Sequence, residues 1–240
     1  MKKCIILAAY KIENEKIPLE IISKGDFIIC ADGGRRHAAK MGITPDVILG
    51  DFDSSPEIES SEIERCEKNI FPAKQAAEIG DINSRNISAE NLTKPEIIRL
   101  PAEKDDTDTA AAIKLGLMRG YKEFYIFGGI GGRIDHTIGN IVLLKYLADK
   151  GCRGVIVGDN AEMSMVKDGS IELKKRKYKY LSVLAFGGGA EGVTLSGVKY
   201  PLQDYNLANN YPLGVSNEIT EDTSQISVKS GTLLIIQAEE

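Results

Sequence analysis

The sequence predicts two architectures in series. Residues 1–158 form an α/β domain with an open, mostly parallel, Rossmann-like sheet, and residues 159–240 form an all-β sandwich. Three observations lead there. First, short continuous apolar runs alternate with helix-periodic segments up to about residue 158. Unbroken apolar runs suit strands buried on both faces, and their alternation with helices gives a parallel, doubly wound sheet. Second, beyond about Asn160 no long helical period remains, and runs of β-formers recur between turn residues, as in a sandwich or jelly roll. Third, the acidic and glycine-rich clusters of the first part each follow a strand, so they converge on the sheet edge where such folds bind ligands.

Composition narrows the class. The chain has 240 residues, 42% hydrophobic and 27% charged, which is ordinary globular material with enough for a sizeable core. A net charge of −5 argues against a nucleic-acid partner. The four cysteines (Cys4, Cys30, Cys66, Cys152) are scattered without a C-x-x-C pair, and there are two histidines. Neither a disulfide framework nor a zinc site is expected, and Cys4 and Cys30, inside apolar runs, are expected as buried thiols. No apolar span reaches 18 residues, and the Lys2-Lys3 start lacks a signal-peptide core. No membrane association is expected, and the expected location is the reducing cytoplasm.

Cys4–Ala9 is the first strand, and the segment carrying Ile17, Leu19, Ile21 and Ile22 is a crossover helix. Asp26–Cys30 is the second strand. Ala31-Asp32-Gly33-Gly34 follows as a glycine turn, then a short helix that Gly42 stops. A plain tight turn competes with a ligand-binding one here. Val47-Ile48-Leu49 is the third strand, with Asp51 and Asp53 just past its end. In extended chain that spacing points both carboxylates one way, with Phe52 toward the core, and such a pair repels unless a cation lies between them. An Asp- and Ser-rich turn is the competing account. From Pro56 to Lys94 polar residues dominate and periodicity fades, apart from a candidate helix at residues 60–67; Ala76 to Thr93 reads as a surface excursion or a mobile loop.

Ile97–Leu100 returns to the sheet and leads to Lys104-Asp105-Asp106-Thr107-Asp108. The apolar spacing of Ala110, Ala111, Ile113, Leu117 and Met118 makes a helix, which Asp105 or Asp106 can cap. Capping uses one or two carboxylates. The surplus, beside a lysine, is what Mg²⁺ and a polyphosphate would use, although a well-capped soluble helix also accounts for it. Glu123–Phe127 is the next strand, followed by Gly128-Gly129-Ile130-Gly131-Gly132-Arg133-Ile134-Asp135-His136. The glycines let backbone N–H groups approach a ligand, and Arg133 can fork onto phosphate. His136 is a base, an orienter or a packed residue, with a structural or orienting role favoured because no nucleophile is marked nearby. Ile138, Ile141, Val142, Leu144 and Leu147 make a buried helix, and Gly154–Gly158 the last strand of the sheet.

In the second part, Gly187–Gly192 matches G-x-G-x-x-G, but strand-like Val193-Thr194-Leu195 follows where the dinucleotide fingerprint needs a helix, so it is a loop between strands. No P-loop signature occurs. The basic run Lys174–Lys177 is a solvated strand edge.

Ala31–Gly34, Gly50-Asp51-Phe52-Asp53-Ser54, Lys104–Asp108 and Gly131–His136 occur in order, with Leu213-Gly214-Val215-Ser216-Asn217-Glu218 near the C-terminus. Together they resemble the thiamine pyrophosphokinase family, over most of the chain; the long 56–94 stretch departs from the family pattern. The resemblance implies an ATP-binding α/β domain, a thiamine-binding β-sandwich, and a homodimer with thiamine where domains of different subunits meet. It implies Mg²⁺-dependent transfer of pyrophosphate from ATP to the thiamine hydroxyl. It places Asp32, Asp51, Asp53 and Asp108 around Mg²⁺ and the phosphates. Gly33, Gly34, Lys104, Arg133 and Asp135 join Asp32 near ATP, and Ser216 and Asn217 meet the pyrimidine. Lys104, Asp53 and Asp108 are the catalytic candidates, with either carboxylate able to take the hydroxyl proton. A kinase or pyrophosphokinase of another small heterocyclic alcohol, or a non-catalytic thiamine or nucleotide sensor, are the alternatives.

Overall fold

The structure, a computed structural model, describes residues 2–52, 95–101 and 105–239. Its elements begin with β1 (Cys4–Leu7), α1 (Lys16–Ile21), β2 (Phe27–Ala31), α2 (Arg35–Lys40), β3 (Val47–Gly50) and β4 (Glu96–Arg99). They continue with α3 (Asp108–Met118), β5 (Glu123–Phe127), α4 (Ile134–Asp149) and β6 (Arg153–Val157). Seven strands complete the chain: β7 (Ala161–Lys167), β8 (Ser170–Lys174), β9 (Tyr180–Ala185), β10 (Ala190–Ser196), β11 (Leu202–Leu207), β12 (Thr223–Ser227) and β13 (Thr232–Ala238).

Among the described residues, one sheet runs β4-β3-β2-β1-β5-β6-β7-β13-β9 and a second runs β11-β10-β12-β8. From β4 to β6 neighbouring strands are parallel. Successive residues of the parallel strands face opposite layers. Ile6, Ile29, Leu49, Ile98, Ile126 and Ile156 pack with Ile113 of α3 and with Leu144 and Leu147 of α4. Ile5, Leu7, Ile28, Cys30, Val155 and Val157 pack under Ala38 of α2 and Ile17 and Ile21 of α1. Each fully buried Ile or Leu contributes about 1.5–3 kcal/mol of transfer free energy, so the apolar runs fix this sandwich of layers. Cys4 and Cys30 lie inside it as buried thiols, and burial raises both above the ordinary thiol range.

Two expectations need correction. β6 is the last parallel strand and not the last strand of the sheet. The chain reverses at Gly158, whose N–H donates to the Ala161 carbonyl at 2.8 Å, and β7 pairs antiparallel along β6. An unpaired β6 edge would leave a row of backbone groups exposed, and β7 satisfies it. The second correction concerns α4, which is buried on one side only. Leu144 and Leu147 face the core, while Ile138 and Val142 are exposed.

β7, β13 and β9 continue the first sheet antiparallel and form one wall of a sandwich whose other wall is the second sheet. Leu181, Val183, Leu233 and Ile235 meet Leu173, Val193, Leu195 and Ile226 between them. Gly187, Gly188 and Gly189 lie in the β9–β10 connection and Gly192 lies within β10, so a strand and not a helix follows the glycines. β8, which carries Lys174, is an edge strand. Among the described residues no helix is long and apolar enough to cross a membrane.

Candidate active site

Strand order reverses direction of growth between β1 and β5, which is where open α/β sheets form a crevice at the carboxyl ends of their strands. Asp32 begins a single turn of 3₁₀ helix, Asp32–Gly34, between β2 and α2. A Cβ on Gly34 would collide with the Leu7 carbonyl oxygen, so only glycine lets this turn rest on the end of β1. A Cβ on Gly50 would lie 3.2 Å from Asp32 Cα, so the end of β3 abuts the same turn and carries Asp51 beside it.

Asp32 and Phe52, the residue after Asp51, sit on unusual backbone. Asp32 has φ +47° and Phe52 has φ +60°. A bulky residue in the left-handed region is a genuine outlier, of order 1–3 kcal/mol, and such strain collects at functional sites. The Phe52 ring is 7% exposed, as expected of a core-facing residue, and its burial offsets the strain. The expected pairing of Asp51 with Asp53 involves a residue outside the described residues. Asp53 and Lys104 themselves lie outside the described residues, as does the stretch from residue 56 to 94.

Asp108 opens α3 at the same edge, in the turn where negative charge suits the helix dipole. The cap is Thr107 and not Asp105 or Asp106. Its Oγ1 accepts the Ala110 N–H at 3.2 Å. Asp106 instead accepts two hydrogen bonds from Lys114 Nζ, at 2.6 and 2.8 Å. A hydroxyl at the cap leaves the acids of this segment for other partners.

Among the described residues no three His, Cys, Asp or Glu side chains group closely enough to hold a metal ion. Asp32 and Asp51 are the pair the backbone brings together.

After β5, Arg133 forks onto Asp135, Nε to Oδ1 at 3.2 Å and Nη2 to Oδ2 at 2.6 Å. The Arg133 hydrogen bond holds the Asp135 carboxyl below the usual range, and Asp135 raises Arg133 in turn. Both are exposed, so solvent screens the pair and phosphate can exchange for the carboxylate. His136 is exposed and not packed; its N–H donates to Asp135 Oδ1 at 3.0 Å. The glycine loop is tied from behind by α4. Asn140 Nδ2 donates to the Gly129 carbonyl at 2.8 Å, and the Gly131 N–H donates to Thr137 Oγ1 at 3.1 Å. Its open face is covered by the ring of Tyr10, which occupies the space a Cβ on Gly131 or Gly132 would need.

Ser216 and Asn217 are at the other end of the sheet. Asn217 pairs with Leu181 of β9. From Cys30 the pairing row runs through Leu7, Phe127, Val157, Glu162, Gln237 and Leu181 to Asn217, seven steps. At about 4.8 Å per step this is roughly 30 Å along the sheet, on the same edge level as Asp32. Asn217 is 4% exposed. Its Oδ1 accepts the N–H groups of Tyr200 and Glu218, both at 2.9 Å, and its Nδ2 donates to the Tyr200 carbonyl at 2.8 Å. Ser216, at φ +62°, is exposed. The structure therefore groups Asp32, Gly33, Gly34 and Asp51 and sets Asp108 and Arg133 along the same edge, but it does not bring Ser216 or Asn217 to them.

A family model described as thiamin pyrophosphokinase, catalytic domain, matches residues 19–156, more than half of the chain. The chain belongs to the thiamin pyrophosphokinase family. A second model, thiamin pyrophosphokinase, vitamin B1 binding domain, matches residues 169–233. A thiamine pyrophosphokinase of Bacillus subtilis is 28% identical over 211 residues, covering 88% of this chain and 86% of that protein. Thiamine pyrophosphokinase 1 of Oryza sativa is 23% identical over 230 residues, covering 87% and 77%. Among solved structures, the thiamine pyrophosphokinase from Bacillus subtilis superposes with a TM-score of 0.79 at 24% identity, covering 100% of both chains. The enzyme from Candida albicans gives 0.70 at 16%, covering 99% and 89%. These likenesses carry the fold, and the family carries the activity: thiamine pyrophosphokinase, a transferase.

Sequence reasoning missed Thr107, Tyr10 and His37. Tyr10 and His37 were within reach of the rule that picked the other motifs, since each follows closely on a strand's carboxyl end. His37 is 8% exposed, and its Nδ1 has no hydrogen-bond partner.

Proposed function

We propose that the chain transfers the terminal pyrophosphoryl group of ATP to the hydroxyl of thiamine, with residues 1–158 binding ATP and 159–240 presenting thiamine. The hydroxyl oxygen bonds to the β-phosphorus, the bond from that phosphorus to the oxygen on the α-phosphate breaks, and AMP leaves. The observation that carries this reading is the Asp32–Asp51 pair at the strand ends, with Asp32 itself and Phe52, next to Asp51, in the left-handed region, in a chain of this family. Phosphoryl-type transfer needs positioning and charge neutralisation more than covalent help.

Asp32 and Asp51, with Asp53 and Asp108, are the residues that would hold Mg²⁺; when bound, the ion neutralises charge on the phosphate oxygens. Gly33 and Gly34 give the phosphates a close approach to backbone. Arg133 turns from Asp135 to phosphate, and Lys104 adds a second cation. Asp53 or Asp108 takes the hydroxyl proton. Ser216 offers thiamine its hydroxyl, and Asn217 shapes that segment from beneath. The separation of roughly 30 Å between this segment and Asp32 supports a homodimer, in which one copy brings thiamine to the ATP of the other. Buried, unpaired cysteines support action in the cytoplasm.

The test is a turnover assay with thiamine, ATP and Mg²⁺ in which AMP and ADP are resolved. AMP formed in step with thiamine diphosphate is expected. ADP instead would make the enzyme a simple kinase, and no turnover with thiamine bound would make it a sensor.

A further inference from the structure

Tyr10 follows β1 at the point where strand order reverses, and the reaction reading above gives it no role. Its backbone is zipped to the end of β5. Ala8 N–H donates to the Phe127 carbonyl at 2.8 Å and Tyr10 N–H to the Gly128 carbonyl at 3.1 Å. One face of its ring rests on Gly131 and Gly132, and the residue is still 44% exposed. The loop beneath is itself fixed by Thr137 and Asn140. The ring is therefore a rigidly backed aromatic surface with a free side.

Its surroundings fit one part of a nucleotide. A Cβ on Gly33 would lie 3.3 Å from Ala9 Cβ, so the Asp32–Gly34 turn is one residue from Tyr10. The residues that follow Tyr10 line a cleft of about 120 Å³, which opens between Ile12, Ile17, Pro18 and Ile130 with Lys11 and Asn160 among its polar lining. Asp159 fixes its rim by accepting the N–H groups of Glu13 and Asn14 at 3.1 and 2.8 Å. Phosphates at the turn leave the base of the same nucleotide within reach of the ring.

We propose that Tyr10 is a specificity-determining residue whose exposed face stacks on the adenine of ATP. The inference rests on the ATP reading above. It also accounts for Gly131 and Gly132, which are small because the ring packs on them. Base–aromatic stacking is sequence-tolerant but favours large purines over pyrimidines.

Tyr10→Leu and Tyr10→Phe test this by two readouts, ATP affinity by calorimetry without thiamine, and steady-state kinetics with ATP and CTP. Tyr10→Leu is expected to weaken ATP binding about tenfold and to shrink the preference for ATP over CTP. The thiamine KM should stay within about twofold, and Tyr10→Phe should behave as wild type. Unchanged ATP affinity, or an equal loss for ATP and CTP, overturns the stacking role and leaves the ring a prop for the loop. A rise confined to the thiamine KM would put the ring at the other substrate. Wild-type protein that binds ATP without turnover would sink the proposed reaction but not this inference, and wild-type protein that binds no ATP would sink both.

Discussion

The two ends of the nine-stranded sheet solve different problems with similar means. Around β2 and β3, left-handed residues present Asp32 and Asp51 at the strand ends. Beside β9, left-handed Ser216 is also presented, but its neighbour Asn217 is buried and fully engaged, and the rim is the exposed Tyr200, Tyr211, Leu213 and Val215. One end offers charge held by strain. The other offers an apolar and hydroxyl surface held by hydrogen bonds. A polyphosphate with its metal suits the first, and a flat heterocycle suits the second. The distance between them makes the ends separable by mutation.

The largest effect should come from the charged end. Asp51→Asn keeps shape and hydrogen-bonding capacity but removes a charge beside Asp32. Turnover is expected to fall at least about 100-fold, with the unfolding temperature and thiamine affinity little changed. Near-normal turnover with an unaltered Mg²⁺ requirement would remove the metal role of this pair.

Two glycines test separability more directly. A Cβ on Gly34 would strike the Leu7 carbonyl oxygen, and one on Gly214 the Val183 carbonyl oxygen. Each alanine substitution forces two backbones apart at one end only, at a cost of about 1–3 kcal/mol. Gly34→Ala should raise the ATP KM about tenfold and Gly214→Ala the thiamine KM by a similar factor, each leaving the other constant nearly alone. If both variants shift both constants together, the two ends act as one site, and the division drawn above is wrong.

The parallel half was legible because burial on both faces writes itself as unbroken apolar runs such as Cys4–Leu7, and each strand appeared where such a run stood. The antiparallel half is half-solvated, so β8, β11 and β12 carry only one or two inward residues each, as in Thr223–Ser227 with Ile226, and they did not stand out. The continuation of one sheet across both halves was hidden for another reason. β7 joins β6 by backbone hydrogen bonds, which any residues can make. At the site, residue types pointed to Asp32 and Asp51, but the left-handed turn at Phe52 depends on where its ring is buried, which spacing does not encode. Tyr10 was passed over because its role arises only when β1 and β5, more than a hundred residues apart, become neighbours.

The hydrogen-bonded end yields a smaller and differently shaped effect. Asn217→Ala leaves the Tyr200 and Glu218 N–H groups and the Tyr200 carbonyl without their partner, which should cost about 1–3 kcal/mol in urea unfolding. Ser216→Ala, at an exposed position, should cost about 0.5 kcal/mol or less. Both should raise the thiamine KM more than the ATP KM. A thiamine effect from Asn217→Ala without loss of stability would make Asn217 a direct ligand and not a support.

The smallest effect separates the ends by pH. Both histidines, His37 and His136, belong to the first half, and none occurs in residues 159–240. Burial pushes His37 below its ordinary value of 6.5, an effect the Tyr10 and Ala9 backbone partly opposes. Its folded state therefore holds the neutral ring, and the unfolded chain takes up a proton first as pH falls. The contribution to stability is complete above about pH 6.5 and is lost as pH falls from there toward the lower folded value. His37→Phe removes the titration while keeping an aromatic ring in the same space. The denaturation midpoint of wild type should thus fall faster between pH 7.5 and 5.5 than that of the variant, on the order of a few tenths of a unit of denaturant. Parallel slopes would show that His37 is not the group that charges.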